Sequence, residues 1–137
     1  MKTLILMIAG LVFAAGAVQA ETGKVDVELN KLEALDGACR AYLVVRNGTK
    51  QRLDELKVDL VLFDDQGIVA KRLAVQLAPL PTGKTSLKVF DIAELPCPQV
   101  GQVLLNAVMS CRDATGKRPD CLSMLAPSAK GAVPFIM

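Results

Sequence analysis

Lys24-Val25-Asp26-Val27-Glu28-Leu29-Asn30 alternates polar and apolar residues without a break. Successive side chains of an extended chain point to opposite faces, so Val25, Val27 and Leu29 share one face of a half-buried strand. The same period recurs downstream. In Cys39 to Val45, the residues Ala41, Leu43 and Val45 oppose Arg40, Tyr42 and Val44. Leu56, Val58, Leu60 and Leu62 make a third inward row, with Lys57 and Asp59 outward. Ile68 to Leu77 is a fourth strand, marked by Leu73, Val75 and Leu77, and Thr85 to Ile92 a fifth. Gln102 to Ser110 is a sixth, with Val103, Leu105, Ala107 and Met109 set against Leu104, Asn106 and Val108. Ala132 to Ile136 closes the chain as a seventh, at a sheet edge because Pro134 cannot donate.

Turn chemistry separates these runs. Leu35-Asp36-Gly37 and Asn47-Gly48-Thr49 break the chain, and Asp64-Asp65-Gln66-Gly67 offers Gly67 for a left-handed position. Pro79-Leu80-Pro81-Thr82-Gly83 ends the fourth strand, and Pro96-Cys97-Pro98 is a stiff link. Asp120 can cap a short helix from Cys121 to Leu125, stopped by Pro127. Strands with turns every eight to twelve residues predict an all-β fold. The expected architecture is an immunoglobulin-like antiparallel β-sandwich of about seven strands, with a short helix before the last. A small barrel is the structural rival.

Upstream of the first strand lies a different composition. Met1-Lys2 is a short positive region, Leu4 to Val18 is a 15-residue run without a charge, and Val18-Gln19-Ala20 supplies small residues before Glu21. This pattern predicts a secretory signal peptide over 1–20, cleaved after Ala20. The run falls short of the ~20 residues a spanning helix needs, so no membrane span is expected after cleavage. No Arg pair precedes it, and the residue directly after Ala20 is Glu21 rather than a Cys. One domain, 21–137, remains, and its expected location is the periplasm or the exterior.

Cleavage of 20 of the 137 residues leaves 117, with 15 basic and 14 acidic side chains. That balance argues against a nucleic-acid partner, which calls for a strongly basic face. The absence of His removes Ser-His-Asp and Cys-His chemistry and every His-bearing metal site. No enzyme activity, metal or cofactor is expected. The rival is an envelope enzyme using a redox thiol pair or carboxylates, which would need a group with a shifted pKa in a cleft. Asp64-Asp65 reads as a polar turn, since calcium wants six to eight oxygens. Met109 and Met124 read as core packing, and the sequon Asn47-Gly48-Thr49 as a loop.

The stretch from Val44-Val45-Arg46-Asn47 through Leu62-Phe63-Asp64-Asp65-Gln66-Gly67 to Leu80-Pro81-Thr82-Gly83-Lys84-Thr85 resembles the FxLYD-type immunoglobulin-like domains. There, an Asn ends one strand, an apolar strand enters an aromatic-Asp-x-x-Gly turn, and a Pro-x-Gly-x-Thr turn follows. The wider frame of Gly37-Ala38-Cys39-Arg40, Phe90-Asp91-Ile92, Cys97, Val103-Leu104-Leu105-Asn106, Cys111, Cys121 and Phe135 is similar to a group of small secreted alphaproteobacterial proteins. These often carry the label "Tat pathway signal sequence domain protein". The resemblance covers essentially the whole chain after the leader. It implies the fold and the periplasm, and it supplies no activity.

All four cysteines, Cys39, Cys97, Cys111 and Cys121, lie after the leader, separated by 58, 14 and 10 residues with no CxxC. An even count in an exported chain predicts two disulfides. In a sandwich of hairpin-like succession, the second and sixth strands run the same way on opposite sheets. Cys39 and Cys97 then fall at one end, and Cys111 and Cys121 at the other. A ten-residue strand spans ~33 Å, whereas a disulfide needs Cα atoms within about 7 Å. The expected pairs are therefore Cys39–Cys97 and Cys111–Cys121.

The same topology gathers charge. The 47–53, 78–84 and 111–120 connections share one end, which with Arg46 holds Arg46, Lys50, Arg52, Lys84, Arg112, Lys117 and Arg118. Its acids are Asp113 and Asp120, with Asp54 and Glu55 adjoining, whereas Glu33, Asp36, Asp64, Asp65, Asp91 and Glu94 mark the other end, with Arg40 near. The expectation is a binding or interaction module whose basic end docks an envelope protein or another anionic envelope component.

Overall fold

The computed structural model describes residues 22–137. The expected signal peptide, 1–20, lies outside the described residues. The strands are β1 (Val25–Leu35), β2 (Ala38–Asn47), β3 (Leu53–Phe63), β4 (Val69–Gln76), β5 (Thr85–Ile92), β6 (Gln102–Asp113), β7 (Gly116–Lys117), β8 (Leu125–Ala129) and β9 (Phe135–Ile136). A short helix, α1 (Cys121–Met124), precedes β8, and a single 3-10 turn covers Cys97–Gln99.

Two sheets form, one in the order β5-β2-β1-β8 and the other β4-β3-β6-β7, with β9 also against β6. The chain crosses between sheets at β2–β3, β4–β5 and β5–β6, the immunoglobulin-like Greek-key route, and its tail crosses again at β7–β8 and β8–β9. The inward rows meet between the sheets. Leu43, Val45, Val27, Leu56, Leu60, Leu62 and Leu105 are all buried there. Burying side chains of this size stabilises by about 1.5–3 kcal/mol each before conformational entropy is charged.

The sandwich is as expected, but its strand count and pairing differ in detail. There are nine strands, two of them only two residues long. β8 runs parallel to β1 and β9 parallel to β6, so both sheets are mixed. The tail leaves α1 beside the start of β1, follows β1 as β8, then turns back along β6. Pro127 stops the helix as expected, yet it lies within β8, opposite Val27. An edge strand tolerates a proline whose missing N–H points away from its one neighbour.

Three bulges overturn local register expectations. In β1 the pairing shifts between Leu29 and Lys31, which sets Leu32 rather than Lys31 toward the core and carries the strand on to Leu35. In β6, Asn106 and Met109 are each extra relative to β3. A bulge puts two residues opposite one and flips every side chain beyond it. Val108 therefore packs against the core, while Met109, expected inside, is 56% exposed. The Asn106 bulge also has a partner: its Nδ2 donates to Asp59 Oδ2 at 2.7 Å, and Arg72 grips the same carboxylate with two bonds of 2.8 Å. These partners hold the Asp59 carboxyl below its ordinary range, the Arg72 bonds first and then the Asn106 bond.

The Asp64 turn is a structural device. Its Oδ1 accepts from the Gln66 and Ile68 amides, both at 2.9 Å, and Gly67 takes φ 77°. That carboxylate oxygen is thus committed to the turn. Among the described residues, no cluster of three or more His, Cys, Asp or Glu could hold a metal ion. Nor is any described helix long and apolar enough to cross a membrane.

Candidate functional site

Cys39 bonds to Cys97 with Cα atoms 4.8 Å apart, and Cys111 to Cys121 at 6.4 Å. Both pairings are those expected, and no cysteine is free. The first staples the start of β2 to the turn before β6. The second ties the end of β6 to α1, at the opposite end of the sandwich.

That second end is organised by Asn47, which is fully buried. Its Nδ2 donates to the carbonyl oxygens of Gln51 at 2.8 Å and Leu80 at 2.9 Å. Its Oδ1 accepts from the Thr49 amide at 3.0 Å and the Thr49 hydroxyl at 2.6 Å. Backbone bonds from Leu80 to Leu53 and from Gly83 to Asn47 complete the join. The sequon is thus a buried loop clasp. It draws the 47–53 and 77–84 connections together beside Leu53, which pairs with Asp113 of β6.

The seven expected cations do lie around this end, in different settings. Arg46 sits on the outer face of β2, between Asp26 and Thr85 of the neighbouring strands, with its Nε buried and without a partner among the described residues. Arg52 pairs with Asp54 at 2.7 Å. Lys50 and Lys84 are exposed on the clasped loops. Arg112, Lys117 and Arg118 come together at one groove.

This groove, about 790 Å³, runs along β6. Ala107, Val108, Met109, Ser110, Cys111 and Arg112 line one wall in unbroken succession, and Lys117, Arg118, Pro119, Cys121 and Leu122 line the other. Six consecutive residues of both parities mean that the groove follows the edge of the strand, not one face of the sheet. The Cys111–Cys121 disulfide fixes the distance between the walls. Met109 and Leu122 contribute exposed apolar surface, 56% and 39%. The Ser110 hydroxyl has no partner among the described residues, although it is buried.

The electrostatics grade the three cations. Arg118 bonds to Asp120 at 2.9 Å and to Asp113 at 3.4 Å, so it is largely spoken for. Asp113 is held below the usual carboxylate range by the Thr115 hydroxyl first, the Thr115 amide next and Arg118 further. Arg112 reaches Glu55 only at 3.7 Å and is half exposed, a contact worth about 0–1 kcal/mol. Lys117 is in no salt bridge among the described residues. Arg112 and Lys117 therefore supply the charge open to a ligand. At the opposite end Arg40 is committed to Asp91 through two bonds of 2.7 and 3.0 Å, and Lys71 reaches Glu94 and the Ala93 carbonyl.

Residue patterning located the charges but missed the walls. Met109, Ser110 and Leu122 become site residues only because a bulge turns Met109 outward and the disulfide loop folds over. No local signal announces either.

No family model matches the chain, and no curated protein does. Among solved structures, IrmA from Escherichia coli superposes with a TM-score of 0.55 at 13% identity, over 83% of this chain and 97% of IrmA. At that identity the likeness carries the fold alone.

Proposed function

We propose that residues 21–137 form an exported, non-enzymatic binding module of the bacterial envelope, periplasmic or secreted, that docks an anionic partner at the β6 groove. The observation that carries this reading is the pairing of a half-open groove with Arg112 and Lys117, two cations whose charge is not consumed within the fold. Two cystines fit an oxidising compartment, and the leader pattern before Glu21 supports export. The four cysteines are all bonded and the groove holds one carboxylate, Glu55. A thiol or paired-carboxylate mechanism thus finds no support there.

The test is binding of the oxidised protein, starting at Glu21, to two anionic probes: phosphatidylglycerol vesicles and a capped peptide alternating glutamate with valine. The reading expects at least one to bind at about 50 mM salt, with marked weakening at about 300 mM as screening tightens. Arg112→Gln combined with Lys117→Gln should weaken it further. Binding that ignores salt and the double variant, or no binding to either probe, defeats the reading. A titration finding reactive thiols in the purified protein would revive the redox alternative.

A further inference from the structure

The unpaired part of β6 says what kind of anion fits. On the side away from β3, β9 pairs with Val103 and Leu104, and β7 with Arg112 and Asp113, while the Arg118 amide bonds to the Cys111 carbonyl. Between them, residues 105–110 have no ladder partner on that side among the described residues. That gap is about 20 Å of extended chain at ~3.3 Å per residue, less what the two bulges fold out. It coincides with the wall of the groove. Backbone N–H and C=O groups left open on an edge are a template for one further strand.

Resting on the anionic docking reading, we infer that the groove takes an extended acidic polypeptide segment, which adds to β6 as a strand between β9 and β7. Three features select that occupant. Main-chain groups in register are something a polypeptide offers and a lipid headgroup does not. The exposed Met109 and Leu122 give apolar contact to alternate side chains of such a strand, and Arg112 and Lys117 favour carboxylates among the others. A second copy of this chain is the wrong shape: the 117–122 wall stands beside the edge, and bulges twist edges away from flat sheet-to-sheet pairing. A single strand fits where a sheet does not.

The experiment uses the glutamate–valine peptide, about seven residues long to match the gap, and the same peptide N-methylated at alternate residues in each of the two registers. Methylation removes backbone donors and keeps every charge. The inference expects one methylated register to bind about tenfold or more weakly than the parent, and the other to bind nearly as well. It also expects slowed amide exchange in 105–110 on binding. Arg112→Glu combined with Lys117→Glu should reverse the preference toward a lysine–valine peptide. Equal binding of parent and both methylated peptides, or stronger binding to phosphatidylglycerol vesicles than to peptide, overturns the added strand while leaving anionic docking intact. A concentration-dependent dimer that protects the same amides without peptide also overturns it, in favour of a second copy. Failure of every anionic probe defeats both readings.

Discussion

Asn47 offers the sharpest check on the physical account of the clasped loop end. Its four hydrogen bonds, at about 1 kcal/mol net each, set a ceiling near 4 kcal/mol on their joint contribution. Truncation to Ala should cost less than that. The Leu80 carbonyl keeps a bond from the Leu53 amide at 3.1 Å, and the Gln51 carbonyl keeps one from the Thr49 hydroxyl at 3.0 Å. The Thr49 amide is the group stranded. Asn47→Ala is therefore expected to lose about 2–3 kcal/mol. Asn47→Asp should be worse at neutral pH, about 3–5 kcal/mol, because a buried carboxylate would face two carbonyl oxygens where an amide donated. The folded-state pKa of that new carboxyl would lie above its unfolded value. Its penalty is then complete above the folded pKa and shrinks as pH falls through it, when the acid can donate one bond. Urea unfolding of the oxidised protein measures all three forms at pH 7 and pH 5. With an m-value of about 1.5 kcal/mol/M, a 3 kcal/mol loss lowers the midpoint by about 2 M. The reasoning fails if the Asp variant is no less stable than the Ala variant at pH 7, or if its deficit against the parent is the same at both pH values.

Two further outcomes follow from the packing. Removing the Cys39–Cys97 bond as a Ser pair should cost about 4 kcal/mol against about 3 for Cys111–Cys121, since the loops closed differ by 58 to 10 residues in the chain-entropy account; denaturant unfolding of the two double variants gives the order, and a reversed order contradicts it. Met109→Ala should fall within about 0.5 kcal/mol of the parent, while Leu105→Ala on the same strand should lose about 2–5 kcal/mol. Thermal or urea unfolding reads both, and a large Met109 effect would mean that the Met109 bulge is not where the register places it.

The strands with unbroken alternation were legible because period two is a local property. Val25, Val27 and Leu29, and likewise Leu56, Val58, Leu60 and Leu62, are buried as their spacing demands. The cystine pairing was legible for a different reason: strand length forbids a bond between opposite ends, so knowing the order of strands suffices. Bulges at Asn30, Asn106 and Met109 were not legible. None carries a glycine, and each exists because a partner strand imposes a register that the local pattern does not contain. β8 was hidden by its composition, Leu125-Ala126-Pro127-Ser128-Ala129, which reads as a helix stop and a loop until β1 offers it an edge.

The groove is a stricter case of the same limit. Its cations were visible in the chain, but its defining feature is a stretch of β6 that nothing covers. Where β7 ends at Lys117 and where β9 ends at Ile136 decide that stretch, and both boundaries are set by the tail's route around the disulfide and along β1. Lengthening β9 by a few residues would close the edge and leave every lining residue in place. The binding reading therefore depends less on which side chains are present than on where two brief ladders stop, and a tail truncated before Phe135 should open the Val103 end of the gap without touching the Arg112 and Lys117 rim.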